Sequence, residues 1–180
     1  MELGPSGVVA GVRQVASPNC DARPAGEAVS LLVVHAISLP PGEFGGDAVE
    51  RLFTNRLEAG DDAYLRAIQT LRVSAHFFLR RDGELIQFVA AQARAWHAGV
   101  SVWRGRNRCN DFSVGVELEG TDSVPFEDAQ YLRLAELTRA LQAALPLTDV
   151  AAHSDIAPSR KIDPGPLFDW ERYLHLLSID

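Results

Sequence analysis

Apolar and polar positions alternate most cleanly along Phe112-Ser113-Val114-Gly115-Val116-Glu117-Leu118-Glu119. Phe112, Val114, Val116 and Leu118 make one face and Ser113, Gly115, Glu117 and Glu119 the other, the period of two that a strand requires. Small residues beneath two carboxylates make either a groove floor with acids at its end or an ordinary solvated strand face. A glycine inside a strand often marks close approach of a ligand or a backbone. Leu31-Leu32-Val33-Val34 is instead a continuous apolar run, as expected for a strand buried on both faces, and it ends at His35. Arg72 to Leu79 alternates again, with Val73, Ala75, Phe77 and Leu79 apolar and Arg72, Ser74 and His76 on the polar face. Arg80-Arg81-Asp82-Gly83 carries an Asp-Gly hairpin signal, and Leu85 to Val89 runs back. Val150-Ala151-Ala152 is a short strand leading into His153.

The period changes in the intervening segments. Pro125 to Leu145 is helical, with acids in its first turn, an apolar stripe of Leu132, Leu134, Ala135, Leu137, Leu141 and Leu145, and Pro146 as its stop. Residues 47–71 predict one or two short helices broken at Glu58-Ala59-Gly60-Asp61; much charge and few aromatic anchors would suit a mobile cover over a site. A last helix runs from about Asp169 to Leu177, with His175 on its surface. Residues 1–28 read as an irregular arm wrapping the domain, and Ser38 to Gly46 stacks too many prolines and glycines for regular structure. These elements predict an α/β fold: one domain over residues 1–180, with a mixed central sheet flanked by helices.

Length and composition fit that class. The chain has 180 residues, 47% hydrophobic and 23% charged, enough for one real core. A net charge of −7 argues against nucleic acid or an anionic membrane as partner, but leaves room for an acidic small substrate held by local arginines. No basic segment followed by an apolar one opens the chain, and no apolar run could span a bilayer, so the expected location is the cytoplasm. Cys20 and Cys109 are expected to be free thiols.

Candidate chemistry concentrates in His153-Ser154-Asp155-Ile156-Ala157-Pro158-Ser159-Arg160-Lys161-Ile162-Asp163-Pro164-Gly165. Its prolines predict a stiff loop in place of a helix or a central strand. In extended backbone Lys161 and Asp163 face the same way, so both can address the space His153 points into. The alternative is a solvated loop with scattered charges. If the fold joins this loop to His35 and Glu117, the result is a metal hydrolase site: His35, His153 and Asp163 make three ligands, and a fourth position is left for water. A metal so held lowers the pKa of water from 15.7 to about 7. Glu117 would then carry a proton and Lys161 would stabilise an oxyanion. His76 reads as a structural hydrogen-bonding residue. Trp96, among small residues in Ala95-Trp96-His97-Ala98-Gly99-Val100, is either a platform for sugar or peptide or a core plug.

Several ordered blocks carry a resemblance that covers nearly the whole chain. They are LVVH at 32–35, ISLPPGEFGG at 37–46, Val73 to His76, RAWHAGVS at 94–101, CNDFSVGVELEGTD at 109–122, and His153 to Gly165. The chain resembles the zinc N-acetylmuramoyl-L-alanine amidases of the 1,6-anhydro-N-acetylmuramyl-L-alanine type, which are related to peptidoglycan recognition proteins. The resemblance implies zinc on His35, His153 and Asp163, and catalytic roles for Glu117 and Lys161. It implies cleavage of the amide between the lactyl group of anhydro-N-acetylmuramic acid and the L-alanine of its stem peptide. It also implies that Trp96 packs on the sugar and that Arg72 and Arg108 hold peptide carboxylates. The expected partner is the anhydro-muropeptide alone, with no nucleic acid or membrane, and the chain is expected to be monomeric. One position departs: where the family usually carries Asn after the first histidine, this chain has Ala36. Two rivals are a muropeptide-binding module without catalysis, disfavoured by retention of all five metal and catalytic residues, and a zinc peptidase acting on sugar-free peptides.

Overall fold

The computed structural model describes residues 1–179. Its strands are β1 (Arg13–Gln14), β2 (Cys20–Ala22), β3 (Leu31–Ile37), β4 (Phe77–Leu79), β5 (Leu85–Gln87), β6 (Ala93–Ala95), β7 (Val102–Trp103), β8 (Arg106–Asn107), β9 (Ser113–Glu119) and β10 (Asp149–Ala152). The helices are α1 (Ala48–Phe53), α2 (Ala63–Ile68), α3 (Asp128–Ala144), α4 (His153–Ile156) and α5 (Trp170–Ser178).

Six strands form the central sheet in the order β1-β5-β4-β9-β3-β10. Only β4 and β5, the two arms of the hairpin read from Asp82-Gly83, pair antiparallel; the other pairings are parallel. The middle of the sheet is buried on both faces, so Leu31 to Val34 contact no solvent, as their unbroken apolar run requires. The period of two sorts their side chains. Leu32, Val34, Val114, Val116, Leu118, Phe77 and Leu79 meet α3 and α5 through Leu134, Leu137, Leu141 and Tyr173. Phe78 and Ile86 meet α1 and α2 on the other face through Leu52, Phe53 and Leu65. Leu31 and Val33 pack there with Phe112, Ala151 and Ile156. Burying a leucine or phenylalanine in this way contributes about 1.5–3 kcal/mol each.

α3 begins where Gln130 folds back to accept the Glu127 N–H at 3.0 Å, and it ends two residues before Pro146. The same Gln130 donates to the carbonyls of Leu79 and Glu119, so a buried amide fastens the helix to β4 and β9. Leu132, assigned to the apolar stripe, is exposed; Tyr131 and Thr138 are buried instead. Thr138 tolerates burial because its hydroxyl bonds the Leu134 carbonyl and Tyr173.

The structure corrects four other expectations. β3 runs two residues beyond His35, because β9 continues to pair with it through Ile37↔Glu119. The segment from His153 opens with a helical turn, α4, before becoming a loop. The arm is not wholly irregular: β1 extends the central sheet, and β2 pairs with β6. The polar face read over Arg72 to Leu79 is solvated only at Arg72, since Ser74 and His76 are buried, and strand geometry starts at Phe77. Among the described residues no helix is long and apolar enough to cross a membrane. Cys20 and Cys109 are both free thiols.

Candidate active site

Strand register assembles the site before any loop is considered. Paired residues on neighbouring parallel strands point to the same face, and His35 pairs with Glu117. On the other side Ala152 pairs with Val34, so the next residue, His153, arrives beside His35. Three consecutive strands thus present a carboxylate and two imidazoles in one row. The loop after α4 adds the rest. Ser154 N–H donates to the Asp163 carbonyl at 3.0 Å, closing the loop and turning the Asp163 carboxylate back onto the histidines. Ile162 is exposed, while Lys161 and Asp163 line the same cleft as His153, the alternation expected of extended backbone.

The cleft encloses about 230 Å³. Its polar end is formed by His153, Asp163, Lys161, Glu117 and His97, with Trp96 half-buried at the edge. Its apolar end comes from α1 and α2, through Leu52, Phe53, Tyr64 and Ile68. Buried Phe53 and Leu65 anchor these helices to the sheet.

At the polar end three donor atoms converge. His35 Nδ1 lies 2.8 Å from His153 Nδ1, and Asp163 Oδ2 lies 3.3 and 3.0 Å from those two nitrogens. Two ligands of one tetrahedral zinc, each bonded at 2.0–2.2 Å, stand about 3.3 Å apart, so these separations suit a common metal. Hydrogen-bond chemistry supports this fit. His153 Nε2 is 3.2 Å from the Ala98 carbonyl, which can only accept, so that nitrogen carries the proton and Nδ1 is left with a lone pair. Lone pairs directed at one another and at a carboxylate call for a cation. Burial lowers the pKa of His35 to about 4, which keeps it a neutral ligand. His35, His153 and Asp163 therefore make a possible metal site.

Glu117 stands just outside this set, its Oε1 4.0 Å from His35 Nδ1. Among the described residues its Oε2 is buried with no hydrogen-bond partner, a reservoir of acceptor capacity aimed at the cleft end. Burial, and then the charge of Asp163, raises its pKa well above the ordinary glutamate value.

A family profile, N-acetylmuramoyl-L-alanine amidase, matches residues 25–166 and so takes in every one of these groups. The chain belongs to the N-acetylmuramoyl-L-alanine amidase family. It is 53% identical over 174 residues to the 1,6-anhydro-N-acetylmuramyl-L-alanine amidase AmpD of Escherichia coli K12, covering 96% of this chain and 95% of that one. A crystal structure of a selenomethionine AmpD derivative superposes with a TM-score of 0.95 at 52% identity, over 99% of this amidase and 100% of the other chain. E. coli AmiD, solved in complex with anhydro-N-acetylmuramic acid-L-Ala-D-gamma-Glu-L-Lys, matches at TM-score 0.61 and 32% identity, over 86% of this chain and 60% of AmiD.

Not every group singled out in the sequence reaches the cleft of the amidase. Arg72 is exposed and donates to the carbonyls of Thr70 and Leu71, although its neighbours Leu71 and Val73 line the cleft. Arg108 is exposed and pairs with Asp111 at 3.1 Å. Glu119 shares the Glu117 face but not the site, since the amides of Gly45 and Arg81 hold its carboxylate elsewhere. His76 is structural as read: its Nδ1 accepts the Gly115 N–H at 3.0 Å, and its Nε2 lies 3.1 Å from the Ala93 carbonyl. Ala36 lines the cleft and also packs against the core beneath α3. Sequence reasoning missed His97, whose ring reaches His35 from a loop; the only hint was the imidazole beside Trp96.

Proposed function

We propose that this amidase hydrolyses the amide between the lactyl group of 1,6-anhydro-N-acetylmuramic acid and the L-alanine of its stem peptide, with zinc on His35, His153 and Asp163. Convergence of three metal-competent donors, about 3 Å apart, in a cleft that also holds Glu117 and Lys161 carries this reading. The substrate class is supported by the 53% identity to AmpD and by the muropeptide bound to AmiD. We take residues 1–180 as one amidase domain, acting as a monomer in the cytoplasm on recycled wall fragments, with no nucleic-acid or membrane partner.

When bound, zinc supplies an acidified water and Lewis acidity toward the amide carbonyl. Glu117 orients the attacking water and carries its proton to the leaving amine, a role suited to a carboxyl whose pKa burial raises above the ordinary glutamate value. Lys161 stabilises the oxyanion as the carbonyl becomes tetrahedral. Trp96 offers an aromatic face to the sugar. Arg72 and Arg108 pair with stem-peptide carboxylates outside the cleft, where Arg binds carboxylate bidentately.

Incubating the zinc-loaded protein with purified anhydro-muropeptide, beside a chelated control, tests the reading by mass spectrometry. Zinc-dependent release of intact stem peptide and anhydro-sugar is expected. Binding without cleavage would favour a recognition module, and cleavage of sugar-free peptides alone would favour a peptidase. Lys161→Ala is expected to keep zinc and to lose on the order of 10²-fold in kcat. An unchanged kcat would remove Lys161 from oxyanion stabilisation.

A further inference from the structure

His35 has two ring nitrogens, and only one tautomer leaves Nδ1 free to face His153 and Asp163. What fixes that tautomer lies behind the ring. His35 Nε2 is 2.9 Å from His97 Nδ1, His97 Nε2 is 3.2 Å from Ser113 Oγ, and Ser113 Oγ is 2.6 Å from the Cys109 carbonyl. An oxygen–oxygen contact of 2.6 Å holds a proton, and a carbonyl has none to give, so Ser113 is the donor there. With its hydrogen committed, Ser113 Oγ accepts from His97 Nε2–H. His97 Nδ1 is then a bare acceptor, and the proton between the two rings belongs to His35 Nε2. Each step follows from the one before, and the terminus is a backbone carbonyl that cannot change role.

We infer that His97 and Ser113 are positioning residues that lock His35 as the Nε2–H tautomer, so that its Nδ1 lone pair faces the metal centre. This rests on the metal reading above, but the hydrogen-bond chain itself does not. The surroundings are shaped to hold the His97 ring. The Asn110 Oδ1 accepts the amides of His97 and Ala98 at 3.2 and 2.8 Å, which fixes the loop. Gly115 lies directly under the ring, where a Cβ would stand 2.5 Å from His97 Cγ. The ring meets His35 edge-on, centroids 5.0 Å apart and planes at 89°, the geometry in which an N–H points at a lone pair. Glycine in a strand that opens into a metal site thus makes room for a neighbour of the ligand, not for substrate.

Outer-sphere partners of metal-bound histidines are typically worth about 10–100-fold in metal affinity. His97→Phe keeps a ring of similar size and removes the acceptor; His97→Asn restores an acceptor oxygen near the Nδ1 position. Nitrogen-15 NMR of the zinc-free protein is expected to find His35 protonated at Nε2 in the wild type and His97→Asn, but in mixed tautomers in His97→Phe. Zinc affinity, measured by chelator competition, is expected to fall about 10–100-fold in His97→Phe and to recover largely in His97→Asn. Ser113→Ala, a small change that tests the chain if His97→Phe does not fold, is expected to free the His97 tautomer and weaken zinc in the same direction. An unmixed His35 tautomer with unchanged zinc affinity in His97→Phe or Ser113→Ala overturns the inference. A wild-type chain that takes up no zinc overturns the metal reading, while the NMR result still decides the hydrogen-bond chain.

Discussion

Asp163→Ala is expected to lose bound zinc and amidase activity together. Asp163 supplies the one anionic donor of the set, its Oδ2 3.0 and 3.3 Å from the two imidazole nitrogens. Without it two neutral rings remain, whereas catalytic zinc sites commonly use three protein ligands. Loss of a metal that lowers the barrier by several kcal/mol corresponds to about 10³-fold in kcat, at about 1.36 kcal/mol per tenfold. Metal analysis after dialysis should find close to one zinc in the wild type and almost none in the variant. Retention of full zinc and full activity would exclude Asp163 as a ligand.

Glu117→Gln separates chemistry from metal binding. The substituted amide would keep the shape and the β9 pairing with His35 but would lose the proton acceptor, so zinc is expected to stay while kcat falls about 10²–10⁴-fold. A pH profile gives the sharper readout. The wild-type carboxyl must be ionised to accept a proton, and burial raises its pKa; activity should therefore be lost as pH falls through a value above the ordinary glutamate range. That acid limb should be missing from the residual activity of the variant. A variant with wild-type kcat and the same acid limb would exclude Glu117 as the proton carrier.

The parts of the fold legible in the sequence are those where local pattern and burial agree. The alternation at 112–119 located β9 and put Glu117 on the site face, and the spacing of Lys161 and Asp163 gave the loop its inward side. The helices at 48–53, 63–68 and 128–144 fell within the predicted segments. Misreadings came where partners distant in sequence decide the outcome. β3 continues past His35 because β9 pairs with it, and Ser74 is buried because its hydroxyl donates to the Asn19 carbonyl, 55 residues away. The strands of the arm and the β7–β8 hairpin are two or three residues long, too short for any periodicity. Glu117 and Glu119 look equivalent in the pattern, but the Gly45 and Arg81 amides and the Arg80 guanidinium reach only the second. His97 could not be assigned because the ring it reaches, His35, lies 62 residues away.

The row His153, His35, Glu117 exists only while β10, β3 and β9 are paired in one register. A slip of one residue between any two strands would turn a member of the row to the opposite face, and a slip of two would carry it about 6.6 Å along the sheet. The members come from positions 35, 117 and 153, so no local folding unit contains the site. A metal held by His35, His153 and Asp163 requires β3 and β10 in this register, has no comparable place to bind on an unfolded or misregistered chain, and adds its free energy of binding to the native state alone. Metal uptake during refolding would therefore time the pairing of β10 with β3, and the metal would select the register of that pair after the hydrophobic faces have already met.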